Sequence, residues 1–310
     1  MTPAAMADRD GLIWFDGEMV DWREAKTHVL THTLHYGVGV FEGVRAYHGE
    51  QGTNIFRLND HTDRLFRSAH ILGMDMPFSK EQLNQAQIDV VRENNLHSAY
   101  LRPLCFLGSE GMGLRADQLR THVAIAAWDW PSYVSPETQE KGLKVRTSSY
   151  TRHHVNVTMC KAKAVGNYTN SILALRDALD SGAEEALLLD PEGYVAEGSG
   201  ENFFLVRNGE VHTPELTSCL EGITRDTIMR FVHDLGLTIK ERRITRDEVY
   251  IADEAFFTGT AAEVLPLRSL DKRVIGSGSR GPITEKLQKM YFDQVMGRRS
   301  QYPEWLTQVS

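Results

Sequence analysis

Two lysines in the segment KAKAVGNY, residues 161–168, are the first candidates for chemistry. Lys161 and Lys163 lie two positions apart, so in a strand both side chains would point to the same face, and spacing alone does not choose between them. An ammonium group that is desolvated near other cations loses its proton easily and can then form a Schiff base with a carbonyl compound. The alternative is a solvated strand face, because most lysines are exposed.

The segment AEGSGEN, residues 196–202, places two glycines and two glutamates just before an apolar run. Glycines allow the backbone to approach a ligand closely. A buried glutamate in this segment could hold a proton on a heterocyclic nitrogen. The alternative is a bulged turn that carries two exposed acids.

Two further segments could bind an anion. LEGITRD, residues 220–226, places Thr224 at a helix start, where unpaired N–H groups and the helix dipole favour negative charge, although ordinary capping by Thr224 explains the same residues. FFTGTAAEVLP, residues 256–266, ends an apolar strand in small and hydroxyl residues. Their N–H and O–H groups could face a phosphate or carboxylate, whereas a plain turn is the alternative.

Aromatic residues alternate with glycines in LHYGVGVFEGVRAY, residues 34–47. Aromatic walls and a guanidinium group suit a small acid with an apolar tail, and the alternative is a core strand bent by glycine. Arg64 in HTDRL and Arg102 in YLRPL are additional cations. Arg102 follows an aromatic residue within an apolar strand, which is less usual for a solvated arginine.

Hydrophobic spacing and turn residues indicate the elements that carry these segments. Asp16-Gly17 between apolar runs predicts a hairpin at the start of the chain. A helix is predicted over 59–72, and Ser79 with Gln82 forms a capping box that predicts a helix through about Asn94. Strands are predicted over 99–108 and 122–128.

The second half of the chain repeats this mixture of elements. We expect a strand over 143–150, a helix over 167–181 that Gly182 ends, and a β-meander over 185–213. Two more helices are expected over 223–236 and 282–296. The fold class is therefore α+β, with strands largely connected by hairpins and without a βαβ rhythm.

The residues 129–142 contain two prolines and little periodicity, so we interpret them as a linker between domains. This interpretation gives a smaller N-terminal domain over 1–128 and a larger C-terminal domain over 143–310. A length of 310 residues agrees with two domains, and 41% hydrophobic residues suffice for sizeable cores.

The composition argues against several classes of partner. The formal charge of −8 is spread without long runs, which argues against nucleic acid or an anionic membrane as the main partner. The start of the chain lacks a secretory pattern and no apolar run approaches about 20 residues, so we expect a cytoplasmic protein. The three cysteines form no CxxC pair. The histidines lack partners at ligand spacing, so we expect no metal site.

Taken together, the segments resemble the branched-chain amino acid aminotransferases of fold type IV, a pyridoxal 5'-phosphate family. The motifs HYGVGVFEGVRAY, YLRPL, KAKAVGNY, EGSGENFF, GITRD and TGTAAE occur in the family order, and the resemblance covers almost the whole chain. The resemblance implies a two-domain α+β fold with mostly antiparallel sheets and helices, with the cofactor between the domains. D-amino acid and (R)-amine transaminases of the same fold, and a catalytically silent cofactor-binding protein, are the alternatives.

The resemblance also implies roles for individual residues around the cofactor. Lys163 corresponds to the lysine that forms the Schiff base and serves as the catalytic base, and Lys161 has no such role. Glu197 corresponds to the partner of the pyridine nitrogen, and Tyr168 to the partner of the ring hydroxyl. The implied phosphate contacts are Arg64, the backbone of Ile223 and Thr224, and Thr260.

For the substrates, the resemblance implies a dual-purpose site for branched-chain amino acids, glutamate and their 2-oxo acids. The α-carboxylate would meet Thr260 and Ala261. The implied apolar lining is Phe41, Tyr133 and Tyr168, and the implied partners of a distal carboxylate are Arg102, Tyr36 and Tyr133.

In this family Tyr36 and the loop Met112–Leu114 come from the neighbouring subunit, so a homodimer is the smallest expected active unit, and some relatives are hexamers. The chain departs from the family pattern at Glu221, where a proline is common, and at Glu110 in the specificity loop. Glu221 adds a negative charge near the implied phosphate site, and Glu110 in the specificity loop indicates that the preferred side chain could differ from those of leucine, valine and isoleucine.

Overall fold

The computed structural model describes residues 5–130 and 135–309. These residues form two compact units. Unit 1 comprises Met1–Pro131, Ala162–Gly166 and Val295–Ser310, and unit 2 comprises Ser132–Lys161 and Asn167–Gln294. Unit 1 is therefore built from three separate parts of the chain, and the shortest of these contains Lys163.

Both units combine helices with sheets. The strands in chain order are β1 (Leu12–Phe15), β2 (Glu18–Asp21), β3 (Gly39–Phe41), β4 (Val44–Gly49), β5 (Gly52–Phe56), β6 (Ala99–Leu107), β7 (Thr121–Trp128), β8 (Leu143–Thr147), β9 (Glu185–Leu189), β10 (Val195–Gly198), β11 (Asn202–Arg207), β12 (Glu210–Thr213), β13 (Ile239–Glu241), β14 (Glu254–Gly259), β15 (Glu263–Leu270), β16 (Arg273–Val274) and β17 (Leu306–Gln308). The helices are α1 (His32–Tyr36), α2 (Leu58–Ile71), α3 (Lys80–Glu93), α4 (Pro136–Lys141), α5 (Tyr168–Asp180), α6 (Ile223–Asp234), α7 (Arg246–Tyr250) and α8 (Pro282–Val295). Within the described residues, no helix has the length and apolar character needed to cross a membrane.

Unit 1 contains one sheet with the strand order β17-β5-β4-β6-β7-β1-β2, and β3 pairs with β6. The predicted hairpin at Asp16-Gly17 is confirmed, because β1 and β2 pair antiparallel around these two residues. Both have positive φ values, 48° and 105°, which a two-residue hairpin turn of this type requires. The β6 and β7 strands were also predicted, and they pair antiparallel along their length.

Helices α2 and α3 cover the sheet of unit 1. The capping box at Ser79 and Gln82 is confirmed, since each side chain accepts a hydrogen bond from the backbone N–H of the other residue. Both helices bury apolar side chains in the core of this unit, among them Leu65 on α2 and Leu83 and Val90 on α3. These contacts place α2 next to β3, and both elements contact Lys163.

Unit 2 contains a second sheet with the strand order β10-β9-β8-β15-β14-β11-β12-β13. The predicted meander is confirmed, because β9 to β12 pair antiparallel in sequence, with Asn208-Gly209 at positive φ in the last turn. We expected strands connected largely by hairpins and without a βαβ rhythm, and this sheet contains two connections of the βαβ type. β8 and β9 pair in parallel across α5, and β12 and β13 pair in parallel across α6.

Helix α5 packs against the sheet through small side chains. Ser171, Ala174 and Ala178 are buried, whereas Ile172 and Leu179 are 52% and 53% exposed. The helix was predicted from its large apolar residues, but these residues do not form its buried face. Small residues allow a helix to approach its neighbours closely.

The segment 129–142, which we expected to be a linker, carries helix α4. Ser135 caps this helix by accepting a hydrogen bond from Thr138 N–H, Pro136 occupies its first turn, and Gly142 ends it. The helix exposes most of its surface and buries none of its residues, so hydrophobic spacing could not indicate it. The chain also passes from one unit to the other at positions outside this segment, because residues 162–166 and 295–310 belong to unit 1.

Candidate active site

The backbone of Lys163 is fixed by two elements of unit 1. Its N–H donates a hydrogen bond to Ser68 Oγ on α2 (3.0 Å), and its carbonyl oxygen accepts one from Phe41 N–H on β3 (3.1 Å). The next residue, Ala164, forms an isolated antiparallel bridge with Val40. This bridge is a short extension at β3, and Lys163 is half-buried there.

The Phe41 ring contacts both Lys163 and Arg102. Lys163 Nζ lies 5.0 Å from the ring centroid, and Arg102 Cζ lies 4.7 Å from it. Arg102 projects from β6, and its guanidinium is also 5.4 Å from the Tyr100 ring. A Cβ atom at Gly43 would collide with the Tyr100 hydroxyl, so this glycine leaves room for the tyrosine. Unit 1 therefore places an amine, a guanidinium and an apolar ring side by side.

Arg64 lies in a buried cluster with Glu42 and His61. Arg64 Nε and Nη2 donate to the two Glu42 carboxylate oxygens at 2.7 and 2.8 Å, and His61 Nδ1 lies 2.7 Å from Glu42 Oε2. Burial alone would raise the pKa of Glu42, but the Arg64 guanidinium and His61 outweigh it and hold that pKa far below its usual range. Burial lowers the pKa of His61. The cluster fixes the direction of the Arg64 side chain.

Lys161 has a different environment from Lys163. Its ammonium group donates to the carbonyl oxygens of Leu216 and Cys219, and the distance to Cys219 is 3.1 Å. Lys161 therefore holds the loop that precedes α6, and it belongs to unit 2 rather than to unit 1. Residues 161–163 do not form a strand, so the condition under which Lys161 and Lys163 would share one strand face is not met.

Tyr36 lies at the end of α1 next to the loop that contains Met112–Leu114. Its hydroxyl accepts a hydrogen bond from Gly113 N–H (3.2 Å), and its ring lies 4.4 Å from that of His32, whose Nε2 is 2.8 Å from Gly113 O. Tyr36 is 40% exposed and Leu114 is 92% exposed. The tyrosine and the loop thus form one exposed group of residues in the single chain.

Glu197 on β10 of unit 2 is held by Arg152. Arg152 Nε and Nη2 both lie 2.7 Å from Glu197 Oε1, and both side chains are buried. The second carboxylate oxygen, Oε2, accepts one long hydrogen bond from Leu220 N–H, at 3.4 Å. Burial alone would lower the pKa of Arg152, but the Glu197 carboxylate outweighs it and raises that pKa. Oε2 retains acceptor capacity for a further N–H donor.

Arg152 also connects Glu197 to the start of α5. Its Nη1 donates to Asn170 Oδ1 and to Ser171 Oγ, each at 3.0 Å. Tyr168, the first residue of α5, is half-buried, and its hydroxyl interacts electrostatically with the Arg152 guanidinium. Arg152 therefore holds Glu197 and is hydrogen-bonded to the first turn of α5, the helix that begins at Tyr168.

The N-terminus of α6 carries Ile223 and Thr224, which are both buried. The N-cap is Gly222, with no side-chain cap hydrogen bond, so Thr224 is inside the helix and the capping alternative is wrong. A Cβ at Gly222 would collide with Asn202 Oδ1 of β11. The glycine allows this close approach, and the first N–H groups of a 12-residue helix remain suited to an anion.

Thr260 and Ala261 form the turn between β14 and β15, and both are half-buried. Next to this turn, Thr258 Oγ1 is buried and has no hydrogen-bond partner among the described residues. Glu201 lies beneath the turn: its Oε2 accepts a hydrogen bond from Gly200 N–H (3.0 Å), and its side chain packs against Gly259. Burial, followed by the nearby Glu185 carboxylate, raises the pKa of Glu201 to about 8.

The candidate residues thus fall into separate groups. Unit 1 brings Lys163, Phe41 and Arg102 together and holds Arg64 in its own cluster, while Tyr36 lies with the 112–114 loop. Unit 2 carries Tyr168, Glu197, Ile223, Thr224, Thr260 and Ala261. Tyr133 lies outside the described residues. Within residues 5–130 and 135–309, no group of three or more histidine, cysteine or acidic residues could hold a metal ion.

Glu110 and Glu221, the two acids that depart from the family pattern, have different surroundings. Glu110 accepts a hydrogen bond from Arg120 N–H (3.3 Å), and its Oε1 is 3.5 Å from His122 Nε2. Its carboxylate is therefore directed toward β7 and not toward Tyr36. Glu221 is exposed immediately before the α6 cap.

Residues 39–270 match the family model of amino-transferase class IV. The branched-chain-amino-acid aminotransferase of Pseudomonas aeruginosa is 63% identical over 305 residues, which cover 98% of this chain and 99% of that protein. The enzyme of the same name from Escherichia coli K12 is 43% identical over 300 residues, covering 96% of this chain and 97% of that protein.

The solved structure of the T.th. branched-chain amino acid aminotransferase with pyridoxamine 5'-phosphate is 48% identical and superimposes with a TM-score of 0.95, covering 97% of this chain and 99% of that one. The same enzyme has been solved with N-(5'-phosphopyridoxyl)-L-glutamate and with 4-methylvaleric acid, with TM-scores of 0.94 and 0.93. The identity, coverage and fold agree, and the chain belongs to the class IV aminotransferases and, within them, to the branched-chain-amino-acid aminotransferases.

Proposed function

We propose that the protein transfers the amino group between L-leucine, L-isoleucine or L-valine and 2-oxoglutarate, with pyridoxal 5'-phosphate as cofactor. The observation that carries the proposal is the Phe41 ring with Lys163 Nζ at 5.0 Å and Arg102 Cζ at 4.7 Å. A reactive amine next to an apolar wall and a guanidinium suits substrates that end either in a branched alkyl group or in a carboxylate.

The residues of this chain fit the cofactor. When bound, the pyridine ring of the cofactor serves as an electron sink for the carbon that loses a proton. Glu197 Oε2 has capacity to accept the ring N–H, and Arg152 holds the carboxyl group in place by pairing with Oε1. We assign the contact with the ring hydroxyl to Tyr168.

For the cofactor phosphate we propose Arg64, the N–H groups of Ile223 and Thr224, and Thr260. The buried Arg64 is aligned by Glu42, and the N-terminus of α6, which has glycine at its cap, favours an anion through its N–H groups and the helix dipole. Hydroxyl and N–H groups of the Thr260 turn add neutral donors. One arginine and several neutral donors together can bind a dianion, even with the negative charge of Glu221 immediately before α6.

For the substrate we propose that Thr260 and Ala261 contact the α-carboxylate, and that Phe41, Tyr168 and Tyr133 surround the alkyl side chain. Arg102, with Tyr36 and Tyr133, would bind the distal carboxylate of glutamate. The T.th. enzyme, which has been solved with a phosphopyridoxyl-glutamate and with 4-methylvaleric acid, accommodates both kinds of side chain. This dual use supports the same assignment here.

The Lys163 amine would act as the base. Lys163 Nζ removes the α-proton of the amino acid and later returns a proton, because its backbone is fixed while its side chain can rotate. The first 2-oxo acid leaves before the second binds, so ping-pong kinetics are expected. We also propose a cytoplasmic homodimer in which Tyr36 and the 112–114 loop serve the neighbouring subunit, with a hexamer as a further assembly.

Borohydride reduction followed by peptide mass mapping tests the assignment of the lysine. The pyridoxyl mass should appear on the peptide that contains Lys163, and it should remain there in a Lys161→Ala variant. Turnover by Lys163→Ala should fall by at least about 10²-fold. A variant of Lys163 that retained full turnover would refute this role.

A substrate panel tests the reaction. Turnover of L-leucine with 2-oxoglutarate should exceed turnover of D-alanine or (R)-amines, which the D-amino acid and (R)-amine transaminases of the same fold would prefer. L-leucine should also change the absorbance of the bound cofactor. A protein that showed no such change would be a silent cofactor binder.

A further inference from the structure

Unit 2 contains a concave pocket that none of the proposed catalytic, cofactor or substrate residues line. The pocket has a volume of about 810 Å³, within the range of small-molecule sites. Six of its lining residues are cations: Lys144, Arg146, Arg246, Arg268, Lys272 and Arg273. The whole chain has a formal charge of −8, so such a concentration of positive charge is a local feature.

Several elements of the fold bring these cations together. Along β8, Lys144 and Arg146 are exposed on both sides of the buried Val145, so the strand places both on one face. The β15–β16 turn at Asp271 and Lys272 has positive φ values of 49° and 66°. This tight turn places Lys272 and Arg273 in the lining of the same pocket, so their proximity follows from the backbone geometry of the turn.

The carboxylates around the pocket are already used. Asp271 accepts hydrogen bonds from Thr147 N–H (2.7 Å), Thr147 O–H (2.8 Å) and Tyr250 O–H (2.7 Å), and Arg246 Nε lies 3.9 Å from it. Glu184 Oε2 accepts from Arg268 Nη2 (3.0 Å) and from the Lys144 N–H (2.7 Å). Each acid therefore has one arginine as its ion-pair partner, Arg246 for Asp271 and Arg268 for Glu184, and these two pairs account for two of the six cations.

Four cations remain without a carboxylate partner. In residues 5–130 and 135–309, none of Lys144, Arg146, Lys272 and Arg273 forms an ion pair through its side chain. The Arg273 guanidinium instead packs over the Tyr250 ring, 4.5 Å from its centroid. Asp177 interacts electrostatically with Arg146, but its carboxylate accepts hydrogen bonds from Ser149 N–H and O–H. Like charges held close together favour a multivalent anion.

We propose that this pocket binds a small molecule with several phosphate groups, of the class of nucleoside triphosphates. The four cations that form no ion pair among the described residues are similar in number to the three to four negative charges of a triphosphate, and guanidinium groups bind phosphate oxygens in pairs. The pocket is a single compact depression on an otherwise acidic chain. These features favour a small polyphosphate over an extended nucleic acid, which would need a basic stripe.

Isothermal titration of the holoenzyme with tripolyphosphate and with ATP tests the proposal, with excess pyridoxal 5'-phosphate present to occupy the cofactor site. Saturable binding with one ligand per chain is expected, and it should weaken as salt is added. The double variant Lys144→Glu/Arg146→Glu should weaken binding by at least about tenfold, because it reverses two charges in the pocket. Lys272→Asn, which suits a positive φ, should weaken it by about threefold.

The matched control is Lys286→Glu/Lys289→Glu, which makes the same charge change at two exposed lysines on α8 of the same unit. The control should bind both probes within about twofold of the unaltered protein. Equal weakening in the control, absence of saturable binding, or tighter binding of a 20-nucleotide single strand than of ATP would overturn the proposal. Turnover of L-leucine without polyphosphate should be unchanged in the pocket variants, so this test is independent of the proposed aminotransferase activity.

Discussion

Each unit buries one arginine–glutamate pair among the proposed cofactor contacts, and the two pairs differ in which partner is the proposed contact. In unit 1, Glu42 aligns Arg64, and the arginine is the proposed phosphate contact. In unit 2, Arg152 aligns Glu197, and the glutamate is the proposed ring contact. The same ion pair therefore supports a positive functional group in one unit and a negative one in the other.

The pairs also differ in how the carboxylate is compensated. Glu42 has two neighbouring side chains, Arg64 and His61, whereas Arg152 is the cationic side chain that contacts Glu197 among the described residues. A buried charge that loses its only counter-charge is strongly destabilised, whereas a neighbour that can take up a proton can replace a missing cation. The two units should therefore respond differently to loss of the arginine.

Replacement of the arginines gives the largest expected effect. Arg152→Met should lower the free energy of unfolding of the cofactor-free protein by about 3–5 kcal/mol, because Glu197 remains buried without a counter-charge. Arg64→Met should lower it by less, because His61 can become an imidazolium next to Glu42. Urea denaturation of both variants without cofactor measures the difference.

The titration of His61 should make the free energy of unfolding of Arg64→Met and of the unaltered protein depend on pH in opposite directions. In Arg64→Met the pKa of His61 should rise above its unfolded value, so the stabilisation by His61 is present below about pH 6.5 and is lost as the pH rises through the folded pKa. In the unaltered protein burial lowers the pKa of His61, so stability instead falls as the pH drops below about 6.5. Equal losses in both arginine variants at all pH values would contradict the comparison.

The second effect is catalytic and concerns Glu197. Glu197→Gln keeps the shape of the side chain but removes the charge that would hold a proton on the ring nitrogen. We expect kcat to fall by about 10²–10³-fold, as when a preorganised electrostatic contact is removed. Steady-state kinetics with L-leucine and 2-oxoglutarate at saturating cofactor measure the loss. A fall of less than about threefold would show that this carboxylate does not act on the ring.

The third effect concerns Glu42, which acts through Arg64. Glu42→Gln should weaken cofactor affinity by about tenfold, which corresponds to about 1.4 kcal/mol, because Arg64 loses its alignment. At saturating cofactor, kcat should remain within about threefold of its original value. The two glutamine variants thus separate binding from chemistry, and a large fall in kcat for Glu42→Gln would show that this glutamate does more than position Arg64.

The sequence predicted the elements whose signals are local. The Asp16-Gly17 turn, the capping box at Ser79 and the Asn208-Gly209 turn depend on residues within four positions of one another, and all three were found. The parallel pairing of β8 with β9 and of β12 with β13 was not predicted, because turn residues report only hairpins. Helix α4 was missed because it has no buried face.

The supporting residues of the site were missed for a related reason. Glu42, His61 and Arg152 have no distinctive sequence spacing, and their roles follow from contacts over 19, 22 and 45 positions along the chain. A charged residue within an apolar stretch of sequence is one sign, and Glu42 between Phe41 and Gly43 shows it. Arg152, in a polar segment, gave no comparable sign.

Glu201 extends the comparison to a buried glutamate without an arginine bonded to it, and it gives the smallest expected effect. Burial and the Glu185 carboxylate raise its pKa to about 8, so the folded protein binds a proton that the unfolded chain releases at lower pH. Its contribution to stability is therefore fully present below about pH 4.5 and is lost as the pH rises to about 8.

Glu201→Gln removes this titration and keeps an oxygen that can accept the hydrogen bond from Gly200 N–H. Between pH 5 and pH 8 the free energy of unfolding of the variant should rise relative to that of the unaltered protein by at least about 1 kcal/mol. The control is Glu140→Gln, at an exposed position of the same unit, which should show no such change. If both variants followed the unaltered protein across this range, the folded protein would not bind the extra proton at Glu201, and burial without a bonded arginine would not raise the pKa of this carboxyl group.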